Sequence, residues 1–175
     1  MLHIFRRQLR AGAVLGALAT LATSAIVAAP AAQAADPVRY LRNDWTQTWV
    51  YSTGAGNRAR MTGTSGATAN KAWRYQYRFT LNGHPVVRLQ NLWNNSCLDT
   101  NGTTSQVWTL GCNTGGYQLW EVFTNSDGST TYKSYGAYIF SSRHVCMAPN
   151  AVLRTTLDLV ACNTNASAQQ WRSVA

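Results

Sequence analysis

The chain has 175 residues, of which 15 are Lys or Arg and six are Asp or Glu; its formal net charge is +9, and it holds four cysteines. No nucleic-acid-binding motif accompanies the positive charge and no Cys-x-x-Cys spacing points to zinc, so neither specific nucleic-acid binding nor a metal or other cofactor is expected. One long apolar stretch lies at the start, and the remainder has the size of a single domain able to bury a core unaided.

Residues 1–34 read as a secretory signal peptide. Arg6, Arg7 and Arg10 precede an uncharged, Ala-rich stretch over residues 11–32, and Ala32-Gln33-Ala34 supplies small residues for a cut after Ala34. No second long apolar run follows, so no membrane span is expected and the product is expected outside the cell. The pair Arg6-Arg7 fits the general or the twin-arginine export route. Residues 35–175 are then expected to form one domain with twelve bases against six acids, eight of the bases lying between Arg39 and Arg88. Such a skew keeps a secreted protein soluble, and it attracts polyanions, wall polymers of the teichoic type or acidic proteins.

Beyond Ala35 no segment has sustained helical periodicity. Short runs rich in Val, Tyr, Trp and Thr alternate with Gly, Asn, Ser and Asp, the pattern of short strands and turns. Residues 53–72, rich in Gly, Ser, Thr, Ala and Asn, are expected to be a long connection. Strands are expected at Val86-Val87-Arg88-Leu89, Val107-Trp108-Thr109-Leu110, residues 117–123, Tyr138-Ile139-Phe140 and Leu157-Asp158-Leu159-Val160. Asn82-Gly83, Asn101-Gly102, Gly115-Gly116 and Asp127-Gly128 separate them as turns. The fold class is therefore all-β, with turns spaced as in a sandwich or small barrel.

Most of this pattern occurs twice. Cys97-Leu98-Asp99, Cys112-Asn113 and Gln118-Leu119-Trp120 return as Cys146-Met147-Ala148, Cys162-Asn163 and Gln169-Gln170-Trp171, with offsets of 49, 50 and 51 residues. A third, worn copy without cysteines is placed upstream, ending at Gln76-Tyr77-Arg78-Phe79, which divides the chain into repeats over about 38–81, 82–124 and 125–175; the alternative is two repeats preceded by an unrelated N-terminal segment. Four cysteines allow three pairings. Each repeat holds its own pair, 15 or 16 residues apart, which favours Cys97 with Cys112 and Cys146 with Cys162. Trp120 and Trp171 are expected to pack about a pseudo-three-fold centre, leaving Trp45, Trp49, Trp73, Trp93 and Trp108 for any binding surface.

The ordered set of Cys-Leu-Asp, a second Cys-Asn and Gln-x-Trp, repeated along a secreted chain, resembles the ricin B-type, or R-type, lectin family. The resemblance covers residues 82–175 well and 39–81 poorly. It implies a single β-trefoil with three pseudo-repeats, four strands each, and a carbohydrate-binding role. In that family the pocket takes a carboxylate from Cys-x-Asp, an aromatic from just before the second cysteine and an Asn from before the Gln. The resemblance thus assigns a carbohydrate-binding set of Asp99, Trp108, Tyr117 and Gln118 in the middle repeat. Trp108 serves as the platform because Leu110 holds the usual place, and Tyr117 stands where the Asn belongs. In the last repeat Ala148, Val160 and Ala168 replace the three pocket residues, and the first has no Cys-x-Asp, so at most one family-type pocket is expected.

Catalytic groups are sparse. His84 and His144 lie in no nucleophile or metalloprotease frame, and Glu121, half of what a glycosidase requires, reads as an exposed strand residue. The chain is expected not to be an enzyme but a secreted, stand-alone lectin-like protein whose partner is a glycan or cell-wall polysaccharide. The alternative is a trefoil with decayed sugar sites that binds a secreted protein partner as inhibitor, toxin subunit or adaptor.

Overall fold

The computed structural model describes residues 36–100 and 104–174; the signal-peptide assignment and the Asn101-Gly102 turn lie outside the described residues. In chain order the strands are β1 (Val38–Asn43), β2 (Trp49–Tyr51), β3 (Asn57–Arg58), β4 (Arg60–Thr62) and β5 (Ala72–Leu81), then β6 (His84–Asn91), β7 (Ser96–Asp99), β8 (Trp108–Gly111) and β9 (Leu119–Thr124). The last set comprises β10 (Thr130–Ser134), the helix α1 (Tyr135–Ser141), β11 (Val145–Pro149), β12 (Leu157–Ala161) and β13 (Trp171–Val174). A 3-10 turn precedes β5, β9 and β13, over Ala69–Lys71, Gly116–Gln118 and Ser167–Gln169.

Strand pairing closes a barrel. β1 pairs with β5, β5 with β6, β6 with β9, β9 with β10, β10 with β13 and β13 with β1, all antiparallel, so these six strands leave no open edge. The hairpins β2–β4, β7–β8 and β11–β12 stand outside that ring, one in each unit. This is a β-trefoil. Asn82 and Gly83, both with positive φ (49° and 83°), form the two-residue turn between β5 and β6, a conformation that Asn-Gly tolerates at low cost.

The pseudo-three-fold axis is drawn by hydrogen bonds. The Ala59 N–H donates to the Val107 carbonyl (3.0 Å), Val107 to Leu157 (3.1 Å) and Leu157 back to Ala59 (3.3 Å). Around this triangle Leu41, Leu89 and Tyr132 occupy corresponding core places, as do Val50, Leu98 and Met147, and all are fully buried. Burying such side chains contributes about 1.5–3 kcal/mol each before entropy is set against it. Cys97 is bonded to Cys112 and Cys146 to Cys162, each bridge within one unit.

Three indoles complete the symmetry. Trp73, Trp120 and Trp171 are fully buried. Their Nε1–H groups donate to the carbonyls of Val50 (3.2 Å), Leu98 (3.3 Å) and Met147 (3.2 Å). Each pairs with the last residue of a first strand: Trp73 with Asn91, Trp120 with Ser134 and Trp171 with Asn43. The worn first copy is therefore Lys71-Ala72-Trp73, five residues before the Gln76 expected from sequence, and Trp73 belongs to the core instead of a binding surface.

Lys71 also explains how the copy was concealed. Gln118 and Gln169 each use a carboxamide to tie a loop: Nε2 donates to Gly111 or Ala161, and Oε1 accepts from the Asn113 or Asn163 N–H. Lys71, with donors only, gives its ammonium to two carbonyls instead, those of Thr64 (2.8 Å) and Gly66 (3.1 Å).

Two further expectations are corrected. Residues 53–72 are not one connection but include β3, β4 and a 3-10 turn. Tyr138-Ile139-Phe140, expected as a strand, lies in α1, which the Ser134 hydroxyl caps by accepting from the Ala137 N–H (3.1 Å). The helix fills the place between Ser134 and β11 where the other units have short turns.

Candidate functional site

Strand alternation decides which side chains of the β7–β8 hairpin face outward. Leu98 and Thr109 are paired and point into the core, so their neighbours Asp99 and Trp108, also directly paired, share the opposite face. Trp108 is at the same time the partner of Arg58 on β3, which sets a carboxylate, an indole and a guanidinium in one cross-strand row. Arg58 forms an ion pair with Asp158 and also donates to the Leu157 carbonyl (3.2 Å). Asp99 is only 4% exposed, whereas Trp108 is half-buried and its Nε1–H lacks a hydrogen-bond partner among the described residues.

Tyr117 sits beside this row. Its carbonyl accepts from the Thr100 N–H (3.0 Å) and hydroxyl (3.2 Å), which ties the 3-10 turn to the residue after Asp99. Its ring packs against Phe140 of α1, centroids 5.1 Å apart at 48°. Gly136 permits that contact: a Cβ there would fall 2.5 Å from Tyr117 Cδ1 and 2.6 Å from its backbone nitrogen. Gln118 is fully buried and its amide is committed to Gly111 and Asn113. The structure thus pairs Asp99 with Trp108, ties the Tyr117 backbone to the residue after Asp99 while its ring faces Phe140, and uses Gln118 to brace the segment after β8, which the Cys97–Cys112 bridge ties to β7.

The corresponding positions elsewhere differ. In the last unit Ala148 faces Asp158, and in the first Tyr51 faces Arg60. The corrected register gives the first unit an Asn, Asn70, immediately before Lys71, a residue that sequence reasoning missed because it aligned the unit on Gln76. Other expectations shift as well. Glu121 is not an exposed strand residue: it is buried and meets the Lys133 ammonium at 3.0 Å, which lies 4.2 Å from the Tyr138 ring centroid. Among the tryptophans left for binding, Trp93 is 55% exposed and Trp45, on which the Arg154 guanidinium rests at 4.4 Å, is also exposed.

No protein-family model matches the chain and no curated protein does. Solved structures do. A designed three-fold symmetric protein, ThreeFoil, aligns with a TM-score of 0.65 at 18% identity over 79% of this chain and 98% of its own. The BEL β-trefoil aligns at 0.61 and 14% over 79% of this chain and 93% of its own. The Polyporus squamosus lectin, solved with a sialylated influenza-binding epitope, aligns at 0.64 and 13% over 79% of this chain, which spans 49% of that lectin. The β-trefoil is thus shared with lectins.

Proposed function

We propose that the protein is a secreted carbohydrate-binding protein with one glycan pocket, in the middle unit. The observation that carries this reading is the direct cross-strand pairing of Asp99 with Trp108 on the outward face of the β7–β8 hairpin. A carboxylate accepts hydrogen bonds from adjacent sugar hydroxyls with charge-assisted strength, and an indole face covers the apolar face of the ring. Tyr117 closes one side, and Gln118 acts through the loop it braces. Neither Ala148 with Asp158 nor Tyr51 with Arg60 supplies that pair of contacts.

Binding without turnover fits the other titratable groups. Glu121 is engaged with Lys133, while His84 and His144 pack against Phe123 and Tyr138. Two disulfides accord with an oxidising compartment. A single pocket of this kind binds in the range of about millimolar to micromolar, so retention on a wall polysaccharide relies on a repeated ligand.

The test is binding to a glycan array and to insoluble cell-wall polysaccharides at physiological salt, with Asp99→Ala alongside. Saturable binding that Asp99→Ala abolishes supports the reading; binding that the variant retains in full refutes it. A second reading, attachment to a secreted protein, is favoured by α1, an insertion specific to the last unit that presents Phe140 at 60% exposure beside the pocket. A protein partner that co-purifies, is unaffected by free sugars and is lost on Phe140→Ser would favour it.

A further inference from the structure

A groove of about 360 Å³ opens between β5 of the first unit and the segment after β8 in the middle one, lined by Arg78, Phe79, Arg88, Asn113, Thr114 and Leu119. It shares no residue with the Asp99 and Trp108 row. Its size is within the range of pockets that hold small ligands.

Two guanidiniums are built into it. Gln76 and Arg88 are cross-strand partners, and the Gln76 Oε1 accepts from both Arg88 Nε (2.9 Å) and Arg78 Nη2 (2.7 Å). Gln76 is held in turn by donating to Gln90 Oε1 (3.0 Å), and Arg88 Nη1 donates to the Asn113 carbonyl (2.7 Å). A β-bulge brings the second arginine in: Tyr77 pairs with Val87 and Phe79 with Val86, so Arg78 is the extra residue of β5. Bulges re-aim side chains, and they recur beside binding sites. Neither arginine takes part in the ion pairs formed among the described residues, which use Arg58, Lys133 and Arg172. Burial, and then the charge of Arg78, lower the pKa of Arg88, the direction expected where two cations converge without a carboxylate between them.

We infer that the Arg78 and Arg88 pair is an oxyanion site that takes the acidic group of a polysaccharide, with Phe79 and Leu119 against the sugar body and Asn113 and Thr114 at its polar edge. Planar guanidinium forks recognise carboxylate and sulfate oxygens alike. Gln76, a neutral acceptor, orients both forks without neutralising either. The site gives two of the eight bases between Arg39 and Arg88 a specific use beyond solubility.

The experiment measures affinity at about 0.15 M salt, where long-range attraction is screened beyond roughly 8 Å. The protein, with both disulfides intact, is titrated with polygalacturonate, dextran sulfate and neutral dextran. Arg78→Gln/Arg88→Gln is compared with Arg60→Gln/Arg143→Gln, which removes the same charge from exposed positions elsewhere. The expected result is binding to at least one acidic polymer in preference to dextran, weakened about tenfold or more in the first variant, a loss of about 1.4 kcal/mol, and within about twofold of wild type in the second. Preference for polygalacturonate identifies a carboxylate ligand, and preference for dextran sulfate a sulfate one. Equal loss in both variants, or no preference over dextran, overturns the proposal. Arg78→Gln alone, at an exposed bulge, serves if the double variant does not fold. This comparison turns on the charge of the polymer and on Arg78 and Arg88 alone, whereas the Asp99 pocket is tested on the glycan array, so failure of that pocket and failure of this site are separable.

Discussion

Replacing Trp73 with Ala tests the corrected three-fold register. Trp73 is fully buried and donates its indole N–H to Val50, so the substitution removes one of the three largest fully buried side chains and leaves a buried carbonyl without its donor. Core Trp→Ala changes cost about 3–5 kcal/mol. With a urea m-value of about 2 kcal/mol/M, typical for a chain of this size, the unfolding midpoint falls by about 1.5–2.5 M. The assay is equilibrium urea unfolding followed by circular dichroism, with disulfides oxidised, for Trp73→Ala, Trp120→Ala, Trp171→Ala and the exposed-site control Trp93→Ala. The three core variants are expected to agree within about 1 kcal/mol, because burial and hydrogen bond are the same in each, and the control to stay within about 0.5 kcal/mol of wild type. A Trp73→Ala midpoint matching that of Trp93→Ala would refute the assignment and return Trp73 to the surface.

Gly136→Ala forces a Cβ against the Tyr117 backbone, so α1 must lift; a cost of about 1–3 kcal/mol, seen as a melting temperature lower by roughly 3–12 °C, is expected, and an unchanged melt would contradict the contact. Cys97→Ser/Cys112→Ser opens a loop of 15 residues and is expected to cost about 3 kcal/mol in the chain-entropy account, measured by the same urea titration. Asp127 accepts from the Ser129 hydroxyl (2.6 Å) and N–H (2.9 Å) and faces Arg172 (3.0 Å), which together, Ser129 first, hold its carboxyl below the usual carboxylate range. Its contribution to stability is therefore present above about pH 4, the unfolded value, and is lost as the pH falls through the depressed folded one. Asp127→Asn should melt below wild type at pH 7, and the difference should shrink toward pH 2.

What the chain revealed on reading, and what it concealed, follows from where each signal resides. The Cys, Gln and Trp spacing marked two units because bridges and braces are local to a unit, and their residues recur at nearly fixed offsets. The first unit was misaligned because Lys71 does the work of a Gln with different atoms, and no cysteines pinned its register. Tyr138-Ile139-Phe140 has the composition of a strand, and a helix of seven residues is too short to display a period. The pairing of Asp99 with Trp108 was accessible through strand alternation. The covering of Tyr117 by Phe140 was not, since it depends on a helix inserted in the next unit and on Gly136 allowing close approach. Glu121 looked exposed because Lys133, which pairs with it, comes from the neighbouring strand.

A two-dimensional amide NMR titration of the protein with the strongest ligand from the glycan array locates the glycan contact residue by residue. Shifts are expected at Asp99, Thr100, Trp108 and Tyr117, with Ala148, Tyr51 and Arg60 unmoved, and their loss in Asp99→Ala. Shifts centred on α1 or on another unit, or persisting unchanged in Asp99→Ala, would contradict the Asp99 pocket.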